Sequence, residues 1–475
     1  MVCRVHRHRR RHPQRCSAAV AEGTNPAADT ANLKDAPASE PGSRLFAWLK
    51  DHGMPEPNVM IRQVERAGQT LDVTVASRDL VAGDVAFRIP EHLVIDLGRV
   101  FEDETVAELL TTDKLSELAC LTLYLMYEKK NGKQSVWYDF IKELDRQRGR
   151  GQLGAKTPLL WDDGEVERFL AGSPVVALVK ERLKGVQREY QELDTVWFMA
   201  GSLFKNYPYD IPTEAFSLEL FTQAFAAVQA SVVHLQGVPL SKRFALVPLG
   251  PPILSYSSTS KAMLKYDPAA KEVVLVVDRD VKRGEPVYAW CGPQPNSRLL
   301  LNYGIVDDAN PYDKLQLTAT IPKTDRLFQL KRAALQHHNL ATQQSFQLQR
   351  HQALPAMLLP YLRLANCTDA DLLGRPGAFS ANSGPISDEN ERTVLRQLTS
   401  YLQGRLKQYP TKVEQDNDII DSPTARPRQK VAARLVRIEK NILQDAIAAL
   451  MQLPGAAALS REGTDAAGSS SVKLS

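Results

Sequence analysis

An α+β protein is predicted, with a β-rich module broken by a long helical insertion and followed by an all-α domain. Three observations predict it. A turn pattern occurs twice, 201 residues apart, with strand-like runs on both sides of each copy. The residues between the copies carry apolar side chains at helical spacing. After about residue 325 the apolar residues fall into long helical stripes, and the strands are expected to stop there.

The chain opens on a leader with six arginines (Arg4, Arg7, Arg9, Arg10, Arg11, Arg15) and no acid before Glu22. An arginine-rich, acid-poor opening that relaxes into Ser17-Ala18-Ala19 has the composition of an organellar transit peptide. A basic tail that binds anions is the other reading. Residues 22–42, rich in Ala, Pro, Thr and Asn, read as linker, so 1–42 is assigned to transit peptide and disordered linker.

The first copy of the turn is Arg78-Asp79-Leu80-Val81-Ala82-Gly83-Asp84-Val85, and the second is Arg279-Asp280-Val281-Lys282-Arg283-Gly284-Glu285-Pro286-Val287. Apolar runs flank each (Val73–Ala76 and Ala86–Ile89; Val273–Val277 and Val287–Trp290), and Gly83 and Gly284 suit a turn, so both are expected as hairpins. One β module over residues 43–320, with an insertion at about 100–240, accounts for the recurrence. Within the insertion, Leu118–Glu128 is apolar on nearly all faces, as in a buried helix. Trp137–Ile141 opens a second helix, and residues 213–235 continue helically. In the tail, Leu395, Leu398, Leu402 and Leu406 share a face, as do Val431, Leu435, Ile438, Ile442, Ala446 and Ala449. An all-α domain is expected over 321–454 and a disordered tail over 455–475.

Charge narrows the function. Without the leader, 53 basic residues face 55 acidic ones, a net of −2. A near-neutral body lacks the electrostatic footprint needed to grip a nucleic-acid backbone by itself. No apolar run approaches the roughly 20 residues that a membrane-spanning helix needs. The 5 cysteines (Cys3, Cys16, Cys120, Cys291, Cys367) show no metal-ligand spacing, so no metal site is expected and a reducing compartment is.

Three ordered segments carry a resemblance. Tyr127-Glu128-Lys129-Lys130-Asn131-Gly132-Lys133-Gln134-Ser135-Val136-Trp137 comes first. Leu160-Trp161-Asp162-Asp163-Gly164-Glu165-Val166, closing on Leu170-Ala171-Gly172-Ser173-Pro174, follows. Cys291-Gly292-Pro293-Gln294-Pro295-Asn296-Ser297-Arg298-Leu299-Leu300-Leu301-Asn302-Tyr303-Gly304 is third. Together they resemble the Rubisco large-subunit methyltransferase-like SET-domain family over residues 43–454. The family's closing motif runs Tyr-Gly-x-x-x-Asn-x-x-Leu-Leu-Leu-x-Tyr-Gly. The resemblance implies a SET domain with a helical insertion, then a Rubisco-methyltransferase-type substrate-binding domain. The segments Phe244–Tyr256, Lys261–Leu264, Trp290–Asn296, Pro311–Asp313 and Met357–Leu364 resemble more narrowly the family's plastid-transcription members, which associate with the plastid-encoded RNA polymerase. That likeness implies a chloroplast protein of the stroma or nucleoid, with polymerase subunits and their associated proteins as partners.

The resemblance also implies a chemistry. A SET enzyme passes a methyl group from S-adenosylmethionine to a lysine amine across a narrow channel, and much of the rate comes from placement. Tyr303 falls on the family's closing active-site tyrosine. Cys291 replaces its second tyrosine, and a thiol is a shorter, weaker donor. Leu254 and Ser255 stand where the family has the Asn-His pair that contacts the cofactor. Val232 stands at the arginine for the cofactor carboxylate. Val73, in Leu71-Asp72-Val73, stands in the early Gly-x-Gly. Doing without a charge-assisted hydrogen bond to the cofactor costs about 1.5–3 kcal/mol at each such position. Ser257, Ser258, Ser260 and His234 are the nearby candidates to substitute, and His234 reads equally as a structural histidine. The expectation is a SET-domain subunit of plastid gene expression with a degenerate methyltransferase site. The alternatives are an active protein-lysine N-methyltransferase acting on Rubisco or another stromal protein, and a cofactor sensor without turnover.

Overall fold

The computed structural model describes residues 41–66, 69–110, 114–149, 157–203, 217–375, 377–454 and 472–475. The arginine-rich leader and nearly all of the linker lie outside them. The opening helix, Ser43–Asp51, buries Leu45, Trp48 and Leu49 against the first core.

The β module is a set of small sheets. Its strands are β1 (Val59–Arg66), β2 (Gln69–Ala76), β3 (Val85–Pro90), β4 (Ile95–Asp96), β5 (Val232–His234), β6 (Phe244–Leu246), β7 (Ser255–Tyr256), β8 (Leu264–Asp267), β9 (Glu272–Val276) and β10 (Tyr288–Ala289). β1 pairs with β2, β3-β9-β8 and β4-β6-β5 form three-stranded sheets, and β7 runs parallel to β10. Strands from before and after the insertion therefore share sheets, as one interrupted module requires.

The expected hairpins are not formed. β2 does not pair with β3, nor β9 with β10. Instead the two copies of the turn clasp each other about a local pseudo-twofold. Leu80 N donates to Val281 O and Val281 N to Leu80 O, both at 2.9 Å. The Asp280 carboxylate accepts Ala82 N at 3.0 Å, and the Asp79 carboxylate accepts Arg283 N at 2.8 Å. Gly83 N donates to Val277 O and Gly284 N to Ala76 O. Each aspartate satisfies the other turn's main chain, so neither turn closes a tight hairpin of its own.

The insertion is helical where expected. Glu117–Asn131 buries every residue from Ala119 to Leu125, and Tyr138–Gly149 follows. Helices Asp163–Phe169, Val175–Leu203 and Leu218–Ser231 complete it. Residues 232–234, expected to continue the last helix, form β5 instead: Val232 and Val233 are β-branched and bury together on the sheet.

The carboxy-terminal domain is mainly helical, its longest elements being Asp388–Lys407 and Pro427–Met451. Strands nevertheless do not stop at 325. β11 (Lys314–Thr320), β12 (Gln343–Gln349) and β13 (Lys473–Leu474) form a sheet in the order β12-β11-β13. In β12 only Phe346 and Leu348 are buried, a two-residue alternation masked by five surrounding polar residues. Leu315, Leu317 and Ala319 of β11 lie in the second core. Residues 472–475, expected within the disordered tail, instead supply β13, with Val472 buried in that core.

A third apolar cluster joins the halves: Leu159, Trp161 and Val166 of the insertion meet Leu300 and Leu301 on one side and Ala432 and Leu435 on the other. Among the described residues no helix is long and apolar enough to cross a membrane, and no group of three metal-ligating side chains occurs. Cys120, Cys291 and Cys367 are free and buried.

Candidate active site

Two short elements build the site. The parallel pair β7–β10 sets Ser255 opposite Tyr288 and Tyr256 opposite Ala289. The helix Asn296–Tyr303 then returns across them. Tyr303 is its last residue, because Gly304 takes φ +69°, a left-handed cap that glycine adopts without strain, and donates its N–H back to Leu300 O at 2.9 Å.

The start of that helix is pinned by a buried polar network. Asn296 donates from its main chain to Asp313 Oδ1 (2.7 Å) and from its amide to Asp313 Oδ2 (2.6 Å). Asp307 N donates to Asn296 Oδ1 at 2.7 Å, and the Ser258 hydroxyl donates to Asp307 Oδ2 at 2.6 Å. Burial raises the Asp313 carboxyl to about 6 against the pull of the Asn296 hydrogen bonds. At Asp307 burial pushes up, but the hydrogen bonds from Ser258 and Ala309 together with the charge of Arg350 outweigh it and lower the carboxyl.

Above this network lies a cavity of about 310 Å³, walled by Tyr256, Tyr303, Cys291, Trp290, Gln294 and His234 among others. None of its lining residues is Asp, Glu, Lys or Arg. The rings of Tyr256 and Tyr303 are 4.9 Å apart, tilted by 59°. Burial pushes the Cys291 thiol up to about 11. It also raises both phenols: Tyr303 against the hydrogen bond of Gln294, and Tyr256 with the added effect of Tyr303 and Cys291. The chamber thus carries no carboxylate, lysine or arginine and is walled by rings, a thiol and an amide. Gln294 is fixed in turn, its amide donating to Cys291 O at 2.6 Å.

The structure thus brings Tyr303 and Cys291 together. The four positions that the resemblance assigns to the cofactor are not among the chamber's lining residues. Leu254 is 1% exposed and Val232 7%, both in the apolar core of the β module. Ser255 sits on β7, and Val73 lies on β2 opposite Arg62. The neighbouring Asp72 is ion-paired with Arg146 at 2.5 Å. Of the possible substitutes, only His234 reaches the chamber, stacked on Phe244 with ring centroids 5.2 Å apart. Ser258 is committed to Asp307, Ser260 hydrogen-bonds Asp278 and Ser257 pairs with Thr259. The anchors that S-adenosylmethionine finds in the family do not fit these residues. Sequence reasoning passed over Tyr256, Gln294 and Trp290. Gln294 and Trp290 lay in segments already singled out, but nothing in their spacing marks them as wall residues. Tyr256 directly follows two altered positions.

Comparison with known proteins agrees with this architecture. Residues 322–443 match the Rubisco LSMT substrate-binding domain. The chain is 22% identical over 418 residues to an actin-histidine N-methyltransferase of Xenopus tropicalis, covering 85% of this chain and 68% of that protein. To the Homo sapiens enzyme of the same name it is 22% identical over 420 residues, covering 85% and 67%. Among solved structures, the SET domain of LSMT bound to lysine and AdoHcy superposes with a TM-score of 0.68 at 22% identity, over 88% of this chain and 92% of that one. Rubisco LSMT bound to sinefungin and monomethyllysine gives 0.69 at 22%, over 86% and 90%. The chain has the two-part fold of the SET/LSMT protein-lysine methyltransferases: a SET domain followed by a helical substrate-binding domain.

Proposed function

We propose that this chain is a SET-fold protein of the lysine-methyltransferase type that has kept its side-chain chamber, has replaced its cofactor anchors, and serves plastid gene expression as a subunit associated with the plastid-encoded RNA polymerase. One observation carries the loss of transfer. Leu254 and Val232, at the positions of a family asparagine and a family arginine, are packed inside the apolar core, where neither can donate to a cofactor. Support for the plastid setting is the narrower likeness of Phe244–Tyr256, Trp290–Asn296 and Met357–Leu364, together with the leader composition. A near-neutral body suits protein partners better than DNA.

An active methyltransferase is the second reading, favoured by the open chamber with Tyr303 in its wall and by relatives named as methyltransferases. The target amine or imidazole must be neutral to react, and a chamber with no carboxylate, lysine or arginine in its lining suits a neutral side chain. Calorimetric titration of S-adenosylmethionine separates the readings. No saturable heat at millimolar cofactor with a folded sample is the expected result. Micromolar binding would overturn it and direct attention to methyl transfer onto stromal proteins.

A further inference from the structure

A carboxyl lies buried where the helical insertion meets the carboxy-terminal domain. Glu439, on the helix Pro427–Met451, is 4% exposed. It accepts a hydrogen bond from each side. Ser173 Oγ of the insertion donates to Oε1 at 3.0 Å, and Tyr409 Oη of the carboxy-terminal domain donates to Oε2 at 2.9 Å. Both donors are neutral hydroxyls. Burial raises the carboxyl to about 7, against the hydrogen bonds of Ser173 and Tyr409 and the charge of Arg405, while Asp313 adds to the rise. The neighbouring charges are committed elsewhere. On the same helix Arg437 pairs with Asp308 at 2.7 Å and Lys440 with Asp416, and on the insertion Glu165 pairs with Arg428 at 2.5 Å.

Ser173 has a second role. With Gly172, Pro174, Arg405, Gln408 and Glu167 it lines a cleft of about 340 Å³, at whose rim Gln408 and Glu167 are exposed. Glu167 is paired there with Lys180 at 2.7 Å. Gly172 takes φ +85°, and a Cβ on it would lie 2.8 Å from the main chain of Gln408 and Tyr409. The turn at Gly172-Ser173 is thus packed directly on the other domain and forms the partition between the buried carboxyl and the cleft. A carboxyl held above its ordinary 4.5 favours the closed, dry junction below that pH, and this contribution is lost as pH rises through about 7. Once ionised, the group must be solvated or paired, and the cleft supplies water when the turn moves.

We propose that Ser173, Glu439 and Tyr409 form a proton-operated latch between the insertion and the carboxy-terminal domain, closed while Glu439 carries its proton and opened at the Gly172-Ser173 turn when the proton leaves. Opening joins the carboxylate to the cleft and frees the turn from Gln408 and Tyr409, with both hydrophobic cores left intact. The device stands apart from the chamber around Tyr303 and does not depend on how that chamber is used.

The test is amide hydrogen exchange on the full chain, with each rate divided by the intrinsic rate at its pH to give a protection factor. The probes are the Ser173 and Val175 amides, bonded to Leu170 O at 2.9 Å and Ser173 Oγ at 3.2 Å, and the references are Leu121 and Leu398 in the two cores. Between about pH 5.5 and about pH 8.5 protection at the probes should fall at least about tenfold while the references hold. Glu439→Gln keeps the shape of the protonated group and should abolish the fall. Tyr409→Phe removes a donor to the carboxylate and should move the midpoint of the fall to higher pH. Four results overturn the proposal: probe protection independent of pH, an equal fall in Glu439→Gln, a midpoint unmoved in Tyr409→Phe, or a fall shared by Leu121 and Leu398, which would be global unfolding.

Discussion

The chamber around Tyr303 and the positions that would anchor a cofactor differ in what fills them. Around Tyr303 the walls are rings, a thiol and an amide, and about 310 Å³ is left open. At Leu254 and Val232 hydrocarbon is packed solid against the β module. One region is open space and the other is core. Space in a core lowers stability, since its lining forgoes dispersion attraction, whereas filling a polar position with leucine gains burial. The two regions therefore pull stability in opposite directions, the open chamber lowering it and the packed positions raising it.

That contrast can be broken most sharply at Leu254. Leu254→Asn puts an amide into a core position and should destabilise the protein by about 3–5 kcal/mol, from poorer packing and an unpaired polar group. Urea denaturation measures it. A loss below about 1 kcal/mol would mean that the position still tolerates a polar group and that the anchor half is not core.

Asp313, under the chamber, gives the next effect. Its folded-state pKa of about 6 stands above the ordinary 3.8. A raised carboxyl contributes stability that is fully present below its unfolded pKa and is lost as pH rises through its folded one. Stability should therefore fall by about 2–3 kcal/mol as pH rises from about 4 through 6. Asp313→Asn should flatten that slope, read as urea midpoints across the range. An unchanged slope would remove Asp313 from the account.

The smallest effect is expected at Tyr303. The phenol ring packs on Tyr256 and its hydroxyl has one neutral hydrogen bond, with Gln294, so Tyr303→Phe should change stability by about 1 kcal/mol or less. A loss comparable to that of Leu254→Asn would erase the distinction between chamber and core. It would also mark the hydroxyl as structural.

Much of this was written in the chain's local patterns. The buried helix at Glu117–Asn131 and the long helical stripe at Pro427–Met451 were legible because each depends on periodicity within a few turns, and the interruption of one β module because a local pattern recurs. Tyr303 and Cys291 were legible from a motif of fixed spacing that one helix and one turn hold together. The repeated Arg-Asp turn was also visible, but its meaning was not. Read locally it gives two hairpins, whereas each aspartate finds its partner on the other copy, 201 residues away.

The sequence alone determined which residue types stand at the positions that the resemblance assigns to the cofactor, and so which side-chain hydrogen bonds are impossible there. Leucine and valine side chains have no donors in any fold. Only the tertiary structure decided that these two side chains are core, that Tyr256, Gln294 and Trp290 complete the chamber, and that residues 472–475 return to close part of a sheet edge. The physical reason is the same in each case. Burial and strand pairing are properties of surfaces brought together across long separations, and no local pattern encodes which distant surface arrives.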